Sequence, residues 1–278
     1  RGYAVVAVSS VGRCWSGAVD GERVKRVLSD VISRQPDLAG KPLFAFGASS
    51  GGAFVGILPF ITAVDGIIAQ ISSVKLPKLT TTKDSLTEEL RAQGGRGDYP
   101  PIVFSHMARD EVTGQLVNDA KTYLESVAGT PVRITELPPL TIGADFFAAR
   151  IDADKGGWGG FDGAVSAKMA AALKAASMLD ESGFLVDDPR ASDWRDVLGP
   201  VVRQHTAAAA GGGAAAAADG MQPDKSALSE VLNVAYALHE RSADHFEEDV
   251  AWLEVKAKEA KEAREARETR ESEATGLG

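Results

Sequence analysis

A serine among small residues is the part of the sequence best suited to chemistry. Ser49 stands in the segment Gly47-Ala48-Ser49-Ser50-Gly51, between an apolar run that ends at Phe46 and another that begins at Ala53. A nucleophilic serine needs a sharp turn between strand and helix, and glycines two places before and after it let this turn close. The pattern predicts Ser49 as the nucleophile, with Gly47 and Gly51 shaping the turn. The Ser50 amide is then a donor to a developing oxyanion. A glycine-rich turn without a nucleophile is the competing interpretation.

A nucleophilic serine also needs a base, and the base needs a carboxylate that orients it. Asp110 follows the predicted strand at 101–105, at the strand end where parallel sheets place their ligands. We therefore take Asp110 as the candidate acid. The same residue is equally suited to cap the helix that begins at Glu111, because aspartate is a favoured capping residue.

The base is harder to assign, because the chain holds four histidines. His239 lies on the apolar side of the last well-patterned helix, and His205 lies beside an alanine- and glycine-rich tract. His106 shares the strand end with Asp110, and His245 lies among charged residues, where we expect it to be solvated. His239 is the candidate base and His205 the alternative. That the chain has no usable base at all stays open.

The elements that must position these residues alternate between strand and helix. Apolar and β-branched runs predict strands at 4–8, 43–46, 66–71, 101–105 and 132–137. Apolar residues at helical spacing predict helices at 20–33, 53–58 and 111–127. This alternation is typical of βαβ units and a parallel sheet. The run at 4–8 is continuously apolar, which predicts a strand buried on both faces.

Three segments resemble the α/β-hydrolase family: Gly2-Tyr3-Ala4-Val5-Val6-Ala7-Val8, the Ser49 turn, and His106-Met107-Ala108-Arg109-Asp110. The resemblance covers about half of the chain, residues 1–140, and implies a structural role for His106. It also implies a catalytic histidine in the loop after the strand that follows the acid. That loop, at 141–147, contains no histidine. A further oxyanion donor would lie upstream of residue 1, so we expect the sequence to lack this donor and the first strands.

The fold class predicted from these features is α/β, with a mainly parallel sheet of the α/β-hydrolase type, flanking helices and a helical C-terminal extension. The predicted domains are a core at 1–198, an alanine- and glycine-rich linker at 199–225, and a C-terminal helix with a charged tail at 226–278. The tail from Lys256 to Glu273 lacks an apolar stripe, which predicts a solvated helix or a fraying tail.

Composition excludes several classes of function. The chain has 278 residues, 44% of them hydrophobic, enough for one sizeable core, and its net charge of −9 argues against nucleic-acid and anionic membrane partners. No apolar run approaches the roughly 18 residues of a membrane span. With Cys14 as the only cysteine no internal disulfide can form, which favours an intracellular, soluble protein. A targeting signal cannot be judged, because the sequence does not begin with methionine. No spacing typical of metal, dinucleotide or phosphate-loop sites is present, so no metal and no cofactor is expected.

These observations favour a serine hydrolase that acts on a small-molecule ester or related acyl substrate. The alternative is a non-catalytic protein of the α/β-hydrolase fold that binds a ligand or partner, motivated by the missing histidine. A scaffolding role of the charged C-terminal helix is a third hypothesis. The sequence leaves the substrate and the oligomeric state open.

Overall fold

The structure, a computed structural model, describes residues 2–74, 82–92, 94–151, 161–210 and 226–275. The chain divides into two compact units, each with its own hydrophobic core. The first unit consists of Arg1–His106, Glu111–Glu136 and Ala243–Gly278. The second unit consists of Met107–Asp110 and Leu137–Ser242. The domain boundaries expected from the sequence stay a prediction.

Four parallel strands form one sheet in the order β1-β2-β3-β4. They are β1 (Phe44–Ala48), β2 (Gly66–Gln70), β3 (Ile102–Met107) and β4 (Val132–Leu137). The register places Phe46 beside Ile68, and Ile68 beside Val103. An α/β fold with a parallel sheet is thereby confirmed, and four of the five predicted strands are present.

The helices connect these strands and form most of the remaining chain. In the first unit they are α1 (Gly17–Arg34), α2 (Ser50–Val55), α3 (Leu58–Ile61), α4 (Lys83–Ala92), α5 (Glu111–Tyr123) and, after the second unit, α10 (Phe246–Thr275). A π-helical turn, Leu124–Ala128, extends α5. The second unit contains α6 (Phe146–Arg150), α7 (Gly163–Ala175), α8 (Trp194–Ala210) and α9 (Ala227–Tyr236).

Successive strand residues point to opposite sides of a sheet, and in β2 and β3 the residues on both sides are buried. Ile67 and Ala69 belong to the core that also contains residues of α1 to α5. Ile68 and Val103 point to the other face and pack against Leu253 of α10. This burial explains why β2 and β3 are mostly apolar, as expected for strands covered on both sides, with the polar residues Gln70, Ser105 and His106 near their carboxyl ends.

The strand predicted at 4–8 is wrong. These residues belong to no strand, and Val5 is 86% exposed. Only Val8 packs against the core of the first unit. An apolar run becomes a strand only when a neighbouring strand supplies hydrogen bonds, and β1, the edge strand of the described sheet, pairs with β2 alone.

The second unit is mainly helical and packs around Trp194, Phe147 and Leu173. Ser226 caps α9 with its side chain, which accepts a hydrogen bond from the Ser229 amide at 3.2 Å. Helix α8 continues to Ala210, so the predicted linker at 199–225 overlaps this helix. Alanine has the highest helix propensity, which accounts for the continuation. The rest of the predicted linker, 211–225, lies outside the described residues.

Helix α10 runs for 30 residues, and its side chains beyond Arg264 are exposed where they are described. The solvated helix expected from Lys256 onward is therefore present only beyond Arg264, because Ala257 is 6% exposed and Arg264 pairs with Asp98. Within the described part of the chain, no helix combines the length and the apolar character needed to cross a bilayer.

Candidate functional site

Ser49 occupies the turn between β1 and α2 in a backbone conformation that L-residues rarely adopt. Its φ is 51° and its ψ is −120°, outside the left-handed helical region as well as the two large allowed regions. The turn is fixed on both sides, because the Ser49 amide donates to the Gln70 carbonyl at 2.9 Å and the Ser49 carbonyl accepts from the Ala53 amide at 3.1 Å. The residue is exposed. This conformation presents the serine at the carboxyl edge of the sheet.

Two glycines let the turn close, although they are not both the predicted ones. A Cβ at Gly47 would lie 2.2 Å from the Gly51 carbonyl oxygen, so no other residue fits there without a backbone shift. A Cβ at Gly51 would meet only the Trp15 ring, at 3.5 Å, an ordinary contact. The second steric demand falls on Gly52, whose Cβ would lie 2.7 Å from the Ser72 Cβ. Spacing from the serine could not identify Gly52, because its neighbour comes from the loop after β2.

The loop before α1 packs beside this turn. Trp15 stacks on Phe54 of α2, with ring centroids 4.6 Å apart. Asp20 holds the loop by accepting hydrogen bonds from the amides of Val11 and Ser16, each at 2.9 Å. These two hydrogen bonds lower the pKa of the Asp20 carboxyl, because they stabilise its charged form. The loop therefore gives the Ser49 turn an aromatic neighbour at a fixed position.

Asp110 and His239 form a hydrogen-bonded pair in the second unit. The His239 Nδ1–H donates to Oδ2 of Asp110 at 2.6 Å, a length typical of charge-assisted hydrogen bonds. Asp110 is buried, whereas 47% of the His239 side chain is exposed. An ionised carboxylate can only accept, so this contact places the proton of a neutral imidazole on Nδ1. Nε2 is left with the lone pair that a general base requires.

The backbone of the second unit fixes the positions of these two residues. Helix α9 ends at Tyr236, because Ala237 adopts the left-handed conformation with φ 59°. The carbonyl of Ala237 accepts from the Arg109 amide at 2.9 Å, and Nη2 of Arg190 donates to the His239 carbonyl at 2.9 Å. His239 therefore lies in the loop after α9 rather than on its apolar face, where the sequence pattern had placed it.

The other three histidines have different surroundings. His205, the alternative base, lies on α8 and its ring packs against Phe161, with centroids 5.7 Å apart. His106 is 4% exposed at the end of β3, and its Nε2 lies 3.8 Å from the Glu136 carboxylate. His245 contacts Glu248 at 3.2 Å on the exposed surface. Of the candidates, His239 is the one whose ring meets Asp110 in the described structure.

Ser49, with the Ser50 amide at the start of α2, belongs to the first unit, and the Asp110–His239 pair belongs to the second. The first unit supplies an exposed hydroxyl on a strained turn, and the second supplies an oriented imidazole. Over the described ranges, no group of three or more His, Cys, Asp or Glu residues is arranged to hold a metal ion. Protein-family models, curated proteins and solved structures were compared with the chain, and none matches significantly.

Proposed function

We propose that this chain is a serine hydrolase of the α/β-hydrolase type that acts on an ester or a related acyl substrate. The observation that carries the proposal is the 2.6 Å hydrogen bond between Asp110 and His239. The sequence has no histidine at 141–147, where the resemblance implies the base, and His239 supplies an imidazole paired with the candidate acid. The chain order Ser49, Asp110, His239 is the triad order of this fold.

In the proposed reaction, Oγ of Ser49 attacks the acyl carbon while Nε2 of His239 takes its proton. The Asp110 carboxylate keeps the imidazole in the correct tautomer and stabilises the imidazolium that forms. The Ser50 amide donates to the developing oxyanion. The imidazolium then gives its proton to the leaving alkoxide, and water hydrolyses the acyl-enzyme by the same steps.

The conformation of Ser49 supports the same proposal independently. A non-glycine residue in a sparsely populated region costs on the order of 1–3 kcal/mol and persists only where the surroundings impose it. Such residues cluster at active sites, and here the strained residue is the predicted nucleophile. A plain connecting turn between β1 and α2 would not need this strain.

Labelling with a fluorophosphonate probe tests the nucleophile, because the probe phosphonylates activated serines. The wild-type chain should label, and Ser49→Ala should not. Ser50→Ala is the matched control, since it removes the adjacent hydroxyl but keeps the amide. Label retained in Ser49→Ala contradicts the role of Ser49 and indicates another nucleophile. No label in the wild type, while a control esterase reacts, contradicts the proposal and favours a non-catalytic binding protein.

Variants of the two histidines test the base. His239→Gln should slow labelling strongly, whereas His205→Gln should leave the rate unchanged. Asp110→Asn should lower the rate by up to about 10⁴-fold, because an amide favours the wrong tautomer of the imidazole. A rate that falls for His205→Gln and not for His239→Gln would reassign the base.

A further inference from the structure

A cavity of about 180 Å³ lies in the first unit, at the amino-terminal edge of the sheet. Its walls include Tyr99, Pro101 and Thr130, which stand just before β3 and β4. Because the strands are parallel, their first residues share one edge, and Ser49, which follows β1, lies at the opposite edge. A strand of five or six residues is roughly 17–20 Å long, so the cavity is separate from the Ser49 turn.

Two cations on the walls of this cavity lack a carboxylate partner among the described residues. They are Lys83, at the start of α4, and Arg267, on α10, and both side chains are exposed. The third cation, Arg264, is already neutralised, because its Nη1 donates to Oδ2 of Asp98 at 2.8 Å and its Nη2 lies 3.8 Å from Asp65. The cavity therefore offers two positive charges that no carboxylate of the described residues neutralises.

The same cavity holds an acceptor without a donor. Asp98 lines it, and its Oδ1 is buried with no hydrogen-bond partner in the described part of the chain. Buried polar atoms in native proteins are almost always paired, so an unpaired carboxylate oxygen at a cavity indicates a missing donor. A ligand hydroxyl group would supply it.

We propose that this cavity binds a small phosphate monoester that carries a free hydroxyl group. A phosphate monoester has a charge of nearly −2 at pH 7, which balances Lys83 and Arg267. Its hydroxyl group donates to Oδ1 of Asp98, and its carbon chain lies against the apolar wall that includes Pro101. A cavity of about 180 Å³ is small, which favours a ligand with a short carbon chain.

Calorimetric titration of the full chain with three probes tests the proposal. Glycerol 3-phosphate should bind, propyl phosphate, which lacks the hydroxyl groups, should bind about tenfold more weakly, and glycerol should not bind. No binding of glycerol 3-phosphate at millimolar concentration overturns the proposal. Equal affinity for glycerol 3-phosphate and propyl phosphate overturns the role of Asp98.

Two exposed substitutions test the site without threatening the fold. Lys83→Gln and Arg267→Gln should each weaken glycerol 3-phosphate binding about tenfold, because each removes a charge-assisted hydrogen bond. Arg270→Gln is the matched control, since it removes an exposed charge three residues further along α10, outside the cavity. Equal losses in Arg267→Gln and Arg270→Gln would indicate general charge attraction and overturn the site. The proposal is independent of the hydrolase reaction, because these titrations use no acyl substrate.

Discussion

The strained backbone of Ser49 leads to an unusual expectation, namely that glycine at this position is more stabilising than alanine. With φ 51° and ψ −120°, residue 49 lies where a Cβ is unfavourable. The strain amounts to about 1–3 kcal/mol, and it is relieved in Ser49→Gly but not in Ser49→Ala. Against this stands the extra chain entropy of glycine in the unfolded state, about 0.5–1 kcal/mol. The balance favours Ser49→Gly over Ser49→Ala by about 1 kcal/mol in free energy of unfolding.

Urea denaturation of the two variants measures this difference. Both lack the hydroxyl group, so the comparison isolates the backbone conformation from any catalytic role. The adjacent residue is the matched control, because Ser50 is the first residue of α2 and has no unusual φ. There, Ser50→Ala should be more stable than Ser50→Gly, by up to about 1 kcal/mol. If alanine is preferred at both positions by the same amount, residue 49 is not strained and the argument for a dedicated nucleophile turn fails.

Three further outcomes follow from contacts of the first unit. Gly47→Ala should destabilise the protein by about 3 kcal/mol or more and abolish labelling, because the new Cβ meets backbone atoms at 2.2 Å and 2.4 Å. Gly12→Ala is the control: the nearest contact of its Cβ is 3.7 Å, so it should be tolerated in the same thermal and labelling assays. Leu253→Ala should lower the free energy of unfolding by about 2–5 kcal/mol, since Leu253 is 1% exposed, while Val255→Ala, at a position 55% exposed, should change it little in urea titrations. Asp20→Asn should be less stable than the wild type at neutral pH. The pKa of Asp20 is lowered in the folded state, so the contribution of its carboxylate to the free energy of unfolding is present above the unfolded pKa and is lost as the pH falls below about 4. A difference in free energy of unfolding between Asp20→Asn and the wild type that stays constant down to pH 2 would contradict this.

Local patterns in the sequence predict the sheet well because its central strands are buried on both faces. β2 and β3 are short, mostly apolar runs, and β4 combines β-branched or apolar residues with polar ones; the structure places all three within two residues of the expected positions. The run at 4–8 has the same composition and forms no strand. Composition records which residues can be buried, but strand formation also requires a neighbour, and the neighbour is not encoded in the run itself.

The turn at Ser49 is predictable for a different reason. Its steric requirement is local, since the Cβ of residue 47 would collide with residues four and five positions further on. The requirement at Gly52 comes from Ser72, twenty residues away, and the spacing of the motif contains no information about it. Motifs of this kind therefore predict the conformation of the turn more reliably than the residues that support the turn.

The position of His239 depends on topology rather than on pattern. The resemblance to α/β-hydrolases places the histidine between the strand after the acid and the next helix that packs on the sheet. In this chain that interval runs from the end of β4 at Leu137 to the start of α10 at Phe246, because most of the second unit is inserted there. Under the proposed function, the window at 141–147 is too short, whereas the chain order of serine, acid and histidine is kept. The insertion between β4 and α10 places Asp110 and His239 129 positions apart without changing that order. A hydrogen bond from the Arg109 amide to the Ala237 carbonyl still joins the two loops. Helix α10, which follows His239, marks where the chain returns to the sheet, because its Leu253 packs on β2 and β3. The start of this helix is therefore the feature that sets the end of the interval.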